Sequence, residues 1–250
     1  MVLVVLLGGI AAVVAALARR SPPVEAVPQD RPGPVLLVPG YGGSTASLQV
    51  LADALTAGGR VARVVRPGGS GTQDLRDQAE GLARAVDSAL DETGAPSVDL
   101  VGYSAGGVVV RLYVADLGGG STVRRAVTLA APHHGTDLAA LAGSLGSAAC
   151  PEACSQLDPD SDLLRRLNAG DETPDGPVWV ALWTEDDKTV VPPDSGSLEG
   201  ALGIDLQQTC PARRVGHPDV PRDAAVIAMV QAFLGKDSPA TLHPEVCLSR

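Results

Sequence analysis

From residue 35 onward the chain alternates short apolar runs with longer stretches whose apolar positions recur at helical spacing. Val35–Val38, Val61–Val65, Ser97–Val101, Val123–Leu129, Val178–Trp183 and Ile204–Gln208 have the length and apolar content of buried strands. Ser47–Ala57, Asp74–Glu92 and Ala224–Leu234 read as helices. In the second of these Leu75, Ala79, Leu82, Val86 and Leu90 share one face, and Gly94-Ala95-Pro96 ends it. A further helix begins around Gly107. Strands alternating with helices predict right-handed β-α-β units. The expectation is one α/β domain over residues 35–236, with a mainly parallel sheet of about six strands and helices on both faces. Residues 132–176 break the rhythm: they hold Pro, Gly and two Cys, with one short helix expected at Asp160–Leu167. Long irregular insertions in compact domains are commonly functional, and this one leaves the carboxyl end of a strand, where parallel sheets bind ligands. A lid or pocket wall is expected there.

Composition sharpens this outline. The chain has 250 residues, 45% of them hydrophobic, enough for one domain with a full core. Aromatic residues make up only 2%, so that core must be built from Ala, Val and Leu. The net charge of −10 and the pI near 4.7 argue against a nucleic-acid partner, whose phosphates require a basic surface.

The ends of the chain differ from its middle. Val2 to Ala18 is an uncharged apolar run, a candidate for membrane association, followed by Arg19-Arg20 and a Pro-rich linker over 21–34. Residues 1–20 read as a signal peptide or a membrane anchor, with Ala16-Leu17-Ala18 in the place of a cleavage site. Basic residues after such a run by themselves favour retention of the domain inside the cell. The cysteines weigh the other way. Cys150, Cys154, Cys210 and Cys247 are even in number and suit two disulfides, which persist outside the reducing cytosol. Of the three pairings, Cys150–Cys154 with Cys210–Cys247 is expected, pinning the loop at Cys150 and tying the tail, residues 237–250, to the sheet. A Cys-x3-Cys with no paired Cys-x2-Cys and no nearby His does not have the spacing of a zinc site, and no metal is expected. Export is therefore expected, with the domain secreted or anchored at the outer face of the membrane.

The chemistry centres on Gly102-Tyr103-Ser104-Ala105-Gly106, a G-x-S-x-G sequence between an expected strand and an expected helix. A serine on that turn is held at the top of a sheet with its hydroxyl exposed, a nucleophile elbow. Its hydroxyl needs a base, usually His, oriented by a carboxylate. In elbow proteins the chain order is Ser, acid, His. Of the four histidines, His217 follows the last strand and precedes the last helix, as that order requires. His133 and His134 come too early, and His243 sits in the tail. Three carboxylates follow the strand ending at Trp183: Glu185, Asp186 and Asp187. Asp187 opens a D-x-x-V-x-P sequence and is the preferred acid, with Asp186 in reserve. Donors for an oxyanion are expected from the N–H groups of Ala105, after the serine, and Tyr41, in the Gly-rich turn Pro39-Gly40-Tyr41-Gly42-Gly43. That turn lacks the Lys of a phosphate-binding loop.

Val38-Pro39-Gly40-Tyr41-Gly42-Gly43, Gly102-Tyr103-Ser104-Ala105-Gly106-Gly107, Ala131-Pro132-His133-His134-Gly135-Thr136, the Asp187 sequence and His217 together resemble the small secreted bacterial lipases and esterases of the α/β-hydrolase superfamily. The resemblance spans roughly residues 33–235. It implies a minimal six-stranded sheet, an ester substrate, no cofactor, and a triad of Ser104, Asp187 and His217. Many relatives carry His-Gly at the first turn where this chain has Pro39-Gly40, a change that keeps the backbone donor and loses the side chain. The Pro-His-x-Gly-Thr segment implies that His133 or its loop lines the pocket, whereas the residue itself reads more simply as packing. Two other readings stay open: an acyltransferase or thioesterase with the same chemistry, and a non-catalytic binding protein on this fold.

Overall fold

The structure, a computed structural model, describes residues 27–144, 148–236, 242 and 244–249. The expected signal peptide or anchor at 1–20, the apolar run within it, the start of the Pro-rich linker and most of the tail lie outside the described residues. Among those described, no helix is long and apolar enough to cross a membrane.

Six strands form one sheet: β1 (Val35–Val38), β2 (Ala62–Val64), β3 (Val98–Tyr103), β4 (Val123–Leu129), β5 (Val178–Trp183) and β6 (Leu202–Asp205), in the order β2-β1-β3-β4-β5-β6. Every neighbouring pair is parallel. The inner strands β1, β3, β4 and β5 are mostly buried on both faces and run largely apolar without alternation, the polar exceptions being Asp99 in β3 and Arg124, Arg125 and Thr128 in β4. Alternate side chains nonetheless part company: Leu36 and Val38 join the core beneath α2 (Leu75–Thr93) and α3 (Ala105–Asp116), while Val35 and Leu37 join that beneath α1 (Ala46–Ala57) and α8 (Ala224–Phe233). Ala, Val and Leu dominate both cores. The α2 helix starts as its sequence signals, with the Asp74 carboxylate accepting the Arg76 N–H, and stops at Gly94, which takes φ 63°.

Two expectations need correction. The last strand ends at Asp205 rather than running to Gln208. Asp205 accepts the N–H groups of Gln207 (2.8 Å) and Gln208 (3.0 Å) and thereby caps a one-turn helix, α7 (Leu206–Thr209). The 132–176 stretch holds three short helices instead of one: α4 (Asp137–Ser144), α5 (Glu152–Ser155) and α6 (Asp162–Leu167). Both expected disulfides are present. Cys150–Cys154 lies in this stretch, and Cys210–Cys247 fastens the tail beside α7.

The amino ends of the strands carry a buried ionic cluster. Asp99, at the start of β3, accepts from Arg124 Nε (2.9 Å) and Nη2 (2.6 Å) and from Arg60 Nη2 (2.6 Å). The remaining guanidinium N–H groups of Arg124 donate to the carbonyls of Gln29, Leu234 and Gly235. The cluster ties Gln29 and the end of α8 to the start of β3.

Candidate active site

At the other end of β3 the chain turns sharply into α3, and Ser104 occupies the turn with φ 54° and ψ −130°. A non-glycine residue at positive φ is strained by about 1–3 kcal/mol and persists only where its surroundings enforce it. Here they do. Ser104 N donates to Leu129 O (2.9 Å), and Gly107 N donates to Ser104 O (2.9 Å). The α3 helix runs so close to the end of β1 that a Cβ on Gly106 would sit 2.6 Å from Pro39 O. The strand-turn-helix reading of G-x-S-x-G thus has its physical basis in close packing of α3 against β1.

Ser104 Oγ lies 3.0 Å from His217 Nε2, and His217 Nδ1 lies 2.6 Å from Asp187 Oδ2. His217 opens a 3-10 turn after the loop that follows α7, and Asp187 sits in the turn after β5. His217 and Asp187 are buried. The other carboxylate oxygen of Asp187 accepts the N–H groups of Thr189 (2.7 Å) and Val190 (2.9 Å), so the acid is held by its own turn. An aspartate that accepts a hydrogen bond from Nδ1–H leaves Nε2 as the acceptor facing the serine. Tyr103 donates its hydroxyl to His217 O (3.0 Å), with the two rings 5.2 Å apart. Burial and the nearby Asp187 charge push the Tyr103 phenol well above its ordinary range, so it remains a donor.

The reserve acid is elsewhere engaged. Asp186 Oδ2 accepts from Gln207 Nε2 (3.2 Å) and Val215 N (3.3 Å), and Glu185 is exposed. Two residues absent from the sequence-based site belong to this support. Thr184 donates to Val215 O (2.8 Å), and Gln207 bridges Thr184, Asp186 and Arg213 O; together they steady the loop that carries His217. Gln207, one of two glutamines after a capping Asp, offered no signal of that role.

Tyr41 and Ala105 flank the serine, and among the described residues neither backbone N–H has an acceptor. Gly40 lies against the serine itself: a Cβ there would come 2.9 Å from Ser104 Cβ. Two cavities meet at Ser104. One, of about 270 Å³, is mainly apolar and is lined by residues including Pro132, Leu138, Leu157 and Val190. The other, about 460 Å³, is more polar and includes Ser44, Ser47, His217 and Arg222. Tyr41, Ser104 and Thr189 line both. The larger groove of about 610 Å³ at Gln29, Asp175 and Lys236 has no part of this cluster and lies by the amino ends of the strands.

His133 lines neither cavity. It is fully buried, with Nε2 3.0 Å from Thr128 Oγ1, and burial beside Arg111 and His134 holds its pKa well below 6.5. Packing is the role its position supports. His134 pairs with Glu172 (2.8 Å) near the surface, and His243 lies outside the described residues.

The sequence of residues 33–149 matches the family described as the alpha/beta hydrolase fold. Among solved structures, the chain is similar to lipase B of Aspergillus fumigatus, with a TM-score of 0.72 and 20% identity over 87% of this chain and 57% of that one. It is also similar to the mature form of the Bacillus licheniformis lipase BlEst2, with a TM-score of 0.67 and 18% identity over 86% of this chain and 96% of that one. A lipase-esterase related protein of Clostridium acetobutylicum aligns at a TM-score of 0.52 and 17% identity, over 84% and 98% of the two chains. The chain thus spans little more than half of the first of these proteins and nearly all of the other two.

Proposed function

We propose that this chain, whose fold is that of the α/β hydrolases, is an exported serine ester hydrolase acting on lipid or other acyl esters. The observation that carries the reading is the continuous hydrogen-bonded series Asp187–His217–Ser104, opening onto an apolar cavity beside two unengaged N–H groups. In the proposed reaction Ser104 Oγ attacks the acyl carbon while His217 Nε2 takes its proton. Asp187 keeps the ring in the tautomer that can do so and stabilises the imidazolium. The tetrahedral oxyanion receives hydrogen bonds from Tyr41 N and Ala105 N, donors of a kind worth about 3 kcal/mol each in the transition state. His217 then returns the proton to the departing alkoxide, leaving an acyl-enzyme. Water adds by the same route in reverse and releases the acid.

The two cavities support the division an ester requires, acyl chain on the apolar side and alcohol on the polar side. By microscopic reversibility an acceptor alcohol would enter the polar groove, so the acyltransferase reading is distinguished by adding alcohols to the assay. The two disulfides support a location outside the reducing cytosol. The direct test is hydrolysis of p-nitrophenyl acetate, butyrate, octanoate and palmitate by the chain and by Ser104→Ala. Turnover abolished in a folded variant is expected. Turnover that survives the substitution would remove Ser104 from the reaction.

A further inference from the structure

The apolar cavity owes its space to small side chains. Ala139 and Ala142 come from α4, and Ala149 precedes Cys150; Cys154 and Leu157 line the same cavity. Three alanines in a row of contacts leave room that any longer aliphatic side chain would fill. An acyl chain lying in that room gains transition-state binding for each methylene accommodated and none for those left in water. What holds the alanines in place is therefore what sets the usable depth.

Side-chain packing holds them poorly. The α4 helix buries one side chain, Ala139, while Leu138 and Leu141 stand 46% and 61% exposed. An element with so few buried contacts opens locally at low free energy. Backbone bonds hold its start, with Thr136 N donating to Leu157 O (3.0 Å) and Asp137 N to Val191 O (2.8 Å), and the neighbouring disulfide packs against it. Cys150 Sγ lies 3.8 Å from Ala139 O, and its partner Cys154 faces the cavity from α5. The α5 helix is in turn fastened to the rigid part of the domain. Ala153 N donates to Thr72 O (3.2 Å), and Gln156 Oε1 accepts Leu75 N (2.7 Å) at the start of α2. The disulfide, which closes the short step from Cys150 to Cys154, thus packs a well-anchored helix against a weakly packed cavity wall, α4.

We infer that the alanine wall of α4, against which the Cys150–Cys154 disulfide packs, determines which acyl chains the site accepts. The inference rests on the ester-hydrolase reading and deepens it. The experiment is the ratio of kcat/KM for p-nitrophenyl decanoate over acetate, measured on the full chain, on Ala142→Leu, on Cys150→Ser/Cys154→Ser and, as a control remote from the cavity, on Cys210→Ser/Cys247→Ser. Filling the cavity with Ala142→Leu is expected to lower the ratio by about tenfold or more, in line with the loss of room for one or two methylenes. Freeing the wall in the Cys150/Cys154 variant is expected to shift the ratio, while the control variant keeps it. Ala142→Leu retains both disulfides, so it decides the matter even where the cysteine variant does not fold. An unchanged ratio in Ala142→Leu, or an equal shift in both cysteine variants, would overturn the inference while acetate hydrolysis dependent on Ser104 keeps the reading beneath it. Absence of ester hydrolysis by the unaltered chain would remove that reading instead.

Discussion

The strand β3 carries a buried polar cluster at each end, and the two differ in one respect. At its start Asp99 is enclosed by Arg124 and Arg60, and every guanidinium N–H of Arg124 reaches a carboxylate or carbonyl oxygen. At its end Ser104 and His217 form one hydrogen bond with each other and face two cavities, beside N–H groups that have no acceptor among the described residues. A saturated cluster can only hold the fold. An unsaturated one, with a strained residue at its centre, has bonds still to make, and that is the physical mark of a site rather than a strut.

The comparison breaks if either end behaves like the other. Ser104→Ala, His217→Ala and Asp187→Asn are each expected to lower kcat/KM for ester hydrolysis by about 10⁴-fold or more with little change in denaturation midpoint. Asp99→Ala is expected to do the reverse. The buried guanidinium of Arg124 and the part-buried one of Arg60 lose their carboxylate, at a cost of about 3–5 kcal/mol in urea unfolding, while kcat per folded molecule stays unchanged. A large loss of kcat in folded Asp99→Ala would erase the distinction.

A smaller effect separates His133 from His217. Burial keeps the folded-state pKa of His133 well below 6.5, so the unfolded chain binds the extra proton first as the pH falls. The stabilisation is complete above pH 6.5 and is lost below it, by about 1.4 kcal/mol per pH unit until the buried ring itself protonates. His133→Gln is expected to flatten that part of the stability–pH curve, measured by thermal unfolding between pH 6.5 and 5. The smallest expected effect is that of Asp186→Asn. Its side chain steadies the His217 loop without touching the ring, so kcat/KM is expected to fall less than about tenfold, against about 10⁴-fold for Asp187→Asn.

Much of this was legible along the chain. Val35–Val38, Val123–Leu129 and Val178–Trp183 are strands with the bounds that their runs predict, because buried parallel strands run largely apolar even where, as in Val123–Leu129, buried Arg124, Arg125 and Thr128 interrupt the run. The placing of Ser104 on the strand-to-helix turn and of His217 in the loop before the last helix was readable from motif and order, since both positions are set by topology. Three features were not. The D-x-x-V-x-P sequence favoured Asp187 but left Asp186 in reserve, because which of two adjacent carboxylates the turn aims at the imidazole depends on the fold. Helices α4 and α5 lack an amphipathic stripe, as α4 is mainly Ala, Leu and Gly and hardly buried. The support from Thr184 and Gln207 joins residues far apart in sequence through a loop whose path only the folded chain reveals.

The most direct test of the central claim is covalent labelling by an alkyl fluorophosphonate, followed by mass spectrometry of the peptide containing Gly102-Tyr103-Ser104-Ala105-Gly106. Stoichiometric modification of Ser104, lost in His217→Ala, is the predicted result. A folded chain that takes up no label, or takes it up on another residue, would contradict the account.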